Sequence, residues 1–92
     1  MHLDIQTNGF SLTDGIRDYT KRRMQFAFNR NDKHITRVQV RLADINGPRG
    51  GVDKRCQIEL TLAGQANIMI EDTETDLYFA IDRACDRHEN LV

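Results

Sequence analysis

Apolar and polar residues alternate with a period of two in four stretches of the chain and recur at three- and four-residue steps in two others. From His2 to Asn8, Leu3 and Ile5 fall on one side and His2, Asp4 and Gln6 on the other, the pattern of a short strand. Ser11 or Thr13 can then cap a helix running to about Phe28. Within that helix Leu12, Ile16, Tyr19, Thr20, Met24 and Ala27 draw one buried stripe. Arg17, Lys21, Arg22 and Arg23 lie on or beside the opposite face, and Asn29-Arg30-Asn31-Asp32 ends the helix. The period returns to two from Ile35 to Ile45, with Val38, Val40 and Leu42 against Arg37, Gln39 and Arg41. It repeats in Cys56, Ile58, Leu60 and Leu62 against Arg55, Gln57, Glu59 and Thr61. Ala63-Gly64-Gln65 reads as a tight turn, and Ala66, Ile68 and Ile70 as the next strand. Glu71 to Asp76 reads as an acidic lead into a last helix, favourable beside the positive end of its dipole. That helix is expected from about Thr75 to Glu89, burying Leu77, Tyr78, Ile81, Ala84 or Cys85, and His88.

The element order is therefore β-α-β-β-β-α. Each strand has a single apolar face, so both helices should pack on the same side of a four-stranded sheet. The expected fold class is α+β, a two-layer sandwich formed by residues 1–92 as one domain.

Composition narrows the class further. The longest apolar stretches are too short to cross a bilayer, and the N-terminus lacks the basic-then-apolar build of a signal peptide. Cys56 and Cys85 stand apart without CxxC spacing, which suits two buried thiols in a reducing cytoplasm. The net charge of −1 hides a split. Residues 1–55 hold eleven Lys/Arg against six Asp/Glu, and residues 56–92 hold two against eight. Binding depends on the field at one face rather than on the total, so the first half could present a cationic surface.

The segment from Asp44 to Cys56 joins two alternating runs and should be the tip of a long hairpin. Three glycines and the only proline bend it, while Arg49, Lys54 and Arg55 gather cations there. A glycine-rich basic tip can approach phosphate closely, although an ordinary solvated turn has the same composition. Arg17 and Lys21, widened by Arg22 and Arg23, could track a sugar–phosphate backbone; the plainer alternative is a solvated helix face paired locally with Asp14 and Asp18. Arg83 and Arg87 form a second i, i+4 pair, but Asp82, Asp86 and Glu89 surround them and favour local ion pairing. Arg37 and Arg41 should keep the helix-free sheet face soluble. His2, His34 and His88 are scattered, and neither HxH, HExxH, Walker A, GxGxxG nor GxSxG occurs. No enzyme, cofactor, metal or small-molecule substrate is expected.

Three stretches in this order resemble one family: Leu12-Thr13-Asp14-Gly15-Ile16-Arg17-Asp18-Tyr19, then Asp44 through Cys56, then Asp76-Leu77-Tyr78-Phe79-Ala80-Ile81-Asp82. The chain is similar, over almost all its length, to the hibernation-promoting factor and ribosome-associated inhibitor family, also called sigma-54 modulation or S30AE proteins. The resemblance implies a fold like that of double-stranded-RNA-binding domains. It also implies docking in the decoding channel of the small ribosomal subunit, against 16S rRNA, as a cytoplasmic translation inhibitor under stress or in stationary phase. Inhibition would be steric, with shape and backbone contacts and no base code. The chain resembles the short type, although it departs from the lysine-rich tail common there by reading Glu89-Asn90-Leu91-Val92, and the C-terminal dimerisation domain of the long type is not expected. RNA contact is then expected from Arg17, Lys21, Arg22, Arg23, Arg49, Lys54 and Arg55, converging on one surface, with Arg83 and Arg87 in support. The alternative is a protein-interaction module that uses the helix-free face or an exposed edge strand without RNA.

Overall fold

A computed structural model describes residues 2–28, 34–45 and 53–89, with the side chains of 88 and 89 excepted. The hairpin tip with Arg49, the segment 29–32 and the burial of His88 lie outside the described residues. The elements are β1 (His2–Asn8), α1 (Asp14–Phe28), β2 (Ile35–Asp44), β3 (Lys54–Leu62), β4 (Ile68–Glu74) and α2 (Leu77–Glu89). The expected β-α-β-β-β-α order and two-layer architecture are those of the molecule.

The four strands lie in sequence order in one sheet. β1 and β2 run parallel, as a strand–helix–strand crossover requires, and the β2–β3 and β3–β4 pairs are antiparallel. Val38, Val40 and Leu42 pair with Leu60, Ile58 and Cys56, so one continuous apolar face is built across the central strands. Both helices cover that face: Met24 and Phe28 from α1, and Leu77, Ala80, Ile81, Ala84 and Cys85 from α2, join the strand residues in one buried cluster. Cys85 Sγ lies 3.9 Å from Met24 Sδ where the helices meet. Both cysteines are free and buried, and burial pushes both thiols up, that of Cys85 to about 12.

Local chemistry sets the boundaries. Thr13, rather than Ser11, caps α1: its Oγ1 accepts from the Ile16 N–H at 3.2 Å. Gly9 turns the chain from β1 toward α1 at φ 91°, where a Cβ would stand 3.1 Å from the Asp44 carbonyl oxygen. The expected turn at Ala63-Gly64-Gln65 forms around Gly64, with φ 72°.

Two expectations about the second half are corrected. Glu71 to Glu74 belong to β4, and α2 begins at Leu77. The alternation continues through this acidic run: Ile70 and Asp72 are buried while Met69 and Glu71 are exposed, so charge did not stop the strand. Asp76 then caps α2, its Oδ2 accepting from the Phe79 N–H at 3.2 Å. Tyr78 is not buried but 40% exposed, and Ala80 fills the core position instead.

Candidate nucleic-acid interface

The cations singled out in the sequence fall into three environments. On α1, Arg17, Lys21 and Arg22 project to solvent. Among the described residues Arg17 has only a long pair, Nη1 to Asp14 Oδ1 at 3.9 Å, with the Asp14 side chain almost fully exposed. Such a pair contributes little and yields easily to another anion. Lys21 and Arg22 have no carboxylate within ion-pair distance among the described residues. Lys21 lines two shallow depressions, one with Asp18, Arg22 and Gln25, the other with Leu3, Ile5, Leu12 and Arg17 between α1 and the β1 edge.

Arg23 is differently committed. Its Nε donates to Asp82 Oδ1 at 2.9 Å, and its Nη2 lies 3.7 Å from Asp86 Oδ1. Tyr19, one turn earlier, donates its hydroxyl to the same Asp82 oxygen. The Tyr19 ring meets Tyr78 edge-on, with centroids 4.9 Å apart. The hydrogen bond to Asp82, and then burial, hold the Tyr19 phenol up at about 12. Arg23 therefore sits on the seam between the helices, four residues on from Tyr19, and not on the outer face of α1. Asp82 and Asp86, expected to pair locally with Arg83 and Arg87, supply the other half of this clasp.

The hairpin base forms the second group. Lys54 Nζ lies 2.9 Å from Asp53 Oδ1 and 3.3 Å from Asp44 Oδ2, and the bond to Asp53 is the main cause that raises its pKa. Arg55 projects from the helix-free face of the sheet, its Nε 3.6 Å from Glu71 Oε1. Arg37 and Arg41 share that face and are matched with Asp4 at 3.6 Å and Glu59 at 3.7 Å. The third group is on α2. Arg87 Nη2 lies 3.1 Å from Asp72 Oδ1 on the adjoining strand, and Arg83 lies over the Phe79 ring at 6.0 Å.

The cations of the first half therefore do not converge on one surface among the described residues. α1 covers one side of the sheet and Arg55 stands on the other. Asp72 was not singled out as a partner from sequence, and Asp82 was expected to pair with Arg83 or Arg87 rather than with Arg23. For Asp72 a signal existed, since continuing the period from Ile68 and Ile70 puts it on the core face. For Asp82 none did, because its partner is 59 residues away. No group of three or more His, Cys, Asp or Glu side chains is placed to hold a metal among the described residues. No described helix is long and apolar enough to cross a membrane.

Among curated proteins, none matches the sequence. Solved structures do. The chain is similar to the N-terminal domain of Thermus thermophilus Protein Y, with 29% identity and a TM-score of 0.78 over 99% of this chain and 94% of that one. It also shares its fold with a ribosomal subunit interface protein from Coxiella burnetii, with 18% identity and a TM-score of 0.82 over 99% and 92% of the respective chains. The sequence pattern of one family matches residues 3–92, nearly the whole chain, and this protein belongs to that family, the Sigma 54 modulation protein / S30EA ribosomal proteins.

Proposed function

We propose that this protein is a ribosome-associated translation inhibitor that occupies the decoding channel of the small subunit and contacts 16S rRNA there. Membership of a family described as ribosomal, and likeness to a protein described as lying at the ribosomal subunit interface, support the ribosome-associated part. The observation that carries the RNA contact is the set of open cations on α1, Arg17, Lys21 and Arg22, where the other described cations are mostly matched to carboxylates. An unmatched cation gains counterion-release energy on meeting phosphate, whereas a paired one must first give up its carboxylate. Arg17, Lys21 and Arg22 therefore make the leading contacts. Arg83, Arg55, Lys54 and Arg87 contribute only as far as RNA competes with Phe79, Glu71, Asp53 and Asp72. Arg49 completes the hairpin contribution, and Arg23 acts by holding α1 against α2. Cations on both sides of the sheet suit a domain enclosed by RNA better than one resting on a flat duplex. Inhibition needs no bond-making step, since occupying the channel excludes mRNA and tRNA.

The test is a sucrose-gradient profile of stationary-phase lysate probed for this chain, with an initiation assay on purified small subunits. The protein should travel with small subunits at low salt, leave them as salt rises, and suppress initiation. A protein that stays at the top of the gradient at every salt concentration removes the proposal.

A further inference from the structure

We propose that the helix-free face of the sheet carries a phosphate-binding groove between Arg41 and Arg55, formed where Ala43 leaves a gap in one of two neighbouring cross-strand rows. One row runs Gln6, Arg41, Gln57 across β1, β2 and β3, and the next runs Asn8, Ala43, Arg55. Ala43 is the one short side chain among these six, so its place becomes the floor between Asn8 and Arg55. These six, with Thr7 and Leu42, line a depression of about 230 Å³. That is below the roughly 300–1,000 Å³ that takes a whole drug-sized ligand, so it suits one group of a larger molecule.

The chemistry of the lining selects that group. It offers two guanidinium groups and three side-chain amides, and not one carboxylate. Arg55 Nε is buried and has no hydrogen-bond acceptor among the described residues. Its nearest carboxylate, Glu71 Oε1, is 3.6 Å away, and Arg41 stands 3.7 Å from Glu59 Oε1. Both distances are too long for hydrogen bonds, so each guanidinium keeps donors that an anion can take. Glu71 also accepts from Gln57 Nε2 at 3.3 Å, and Glu59 accepts from Asn67 Nδ2 at 3.2 Å, so both carboxylates keep a partner when an arginine turns away. Glu59 on β3 and Glu71 on β4 stand outside the lining, while the amides of Gln6 and Asn8 border it on β1, so an incoming phosphate is directed between the two arginines. The planar forks match phosphate oxygens, and the amides are left for the attached sugar or base.

The groove lies across the sheet from the open cations of α1 and does not depend on ribosome binding. Its ligand is the phosphate of a nucleotide, either an internal phosphodiester of an RNA strand or the terminal phosphate of a free nucleotide. The test is a ¹⁵N NMR titration of the free protein with a short oligouridylate bearing hydroxyl ends and, separately, with adenosine 5′-diphosphate. Shifts should centre on the amides of Ala43 and Gln57 and the side-chain amides of Gln6 and Asn8. Binding of the oligouridylate alone identifies a strand phosphate; binding of the diphosphate alone identifies a free nucleotide; both outcomes support the groove. Ala43→Leu, which fills the floor without altering charge, should weaken binding about tenfold, as should Arg41→Gln. Unshifted amides at Val38 and Leu60 verify each fold. Failure of both probes to shift these amides, shifts centred on α1, or binding unchanged in Ala43→Leu overturns the proposal.

Discussion

Arg22 and Arg23 are adjacent in sequence and do different work. Arg22 stands open on α1, while Arg23 is held by Asp82 and Asp86 of α2. Neutralising Arg23 with Arg23→Gln should therefore cost stability, about 1 kcal/mol for a half-buried pair discounted for solvent, seen in urea unfolding. Arg22→Gln should cost almost none. Tyr19 adds a pH dependence with a definite sign. Its phenol is raised from 10.0 to about 12 in the folded chain. A raised folded pKa stabilises below pH 10, and that contribution is lost as pH climbs through 12. Cys85, raised from 9.0 to about 12 by burial, loses stability over an overlapping range. The comparison of wild type with Tyr19→Phe isolates the phenol: the variant should lose less stability between pH 10 and pH 12, measured by unfolding at each pH.

At the scale of elements, α1 and α2 are joined by Met24 against Cys85 inside and by the Tyr19–Asp82–Arg23 clasp outside. Met24→Ala leaves a cavity at a fully buried position and should cost about 2–5 kcal/mol in chemical denaturation. Asp76→Ala should cost about 1 kcal/mol by removing the α2 cap. Most of this architecture was legible in sequence, because a period of two or of 3.6 records burial directly. β1 and the end of α1 fall where alternation and helical spacing put them. The misreading at β4 has a physical source. Glu71 to Asp76 has both the composition of a helix N-terminus and the spacing of a strand, and spacing decided because Asp72 finds Arg87. Tyr78 was misassigned because an aromatic ring at an apolar-looking position can lean on a neighbour, here Tyr19, without entering the core.

Over the whole molecule, charge is sorted more by pairing than by chain half. The basic first half and acidic second half meet in Arg23–Asp82, Arg41–Glu59 and Arg55–Glu71, so the split in sequence becomes internal matching in the fold. This is why the site was less legible than the fold: an i, i+4 spacing locates a cation on a helix but not the carboxylate that reaches it from 59 residues away. Among the described residues, Arg17, Lys21 and Arg22 on the outer face of α1 stay outside these matches between the two halves, and the proposed hold on ribosomal RNA rests there. The most direct measurement is the salt dependence of binding to purified small subunits, wild type against Lys21→Gln/Arg22→Gln, with Arg23→Gln as the comparison. Each lost phosphate contact should lower the slope of log affinity against log salt by about 1, so the double variant should lose about 2 with its thermal midpoint unchanged. Arg23→Gln should keep the slope and lower the midpoint. A double variant with the wild-type slope contradicts the assignment of α1 as the RNA-facing surface, and an Arg23→Gln slope that falls while its stability holds contradicts the role of Arg23 as a clasp between the helices.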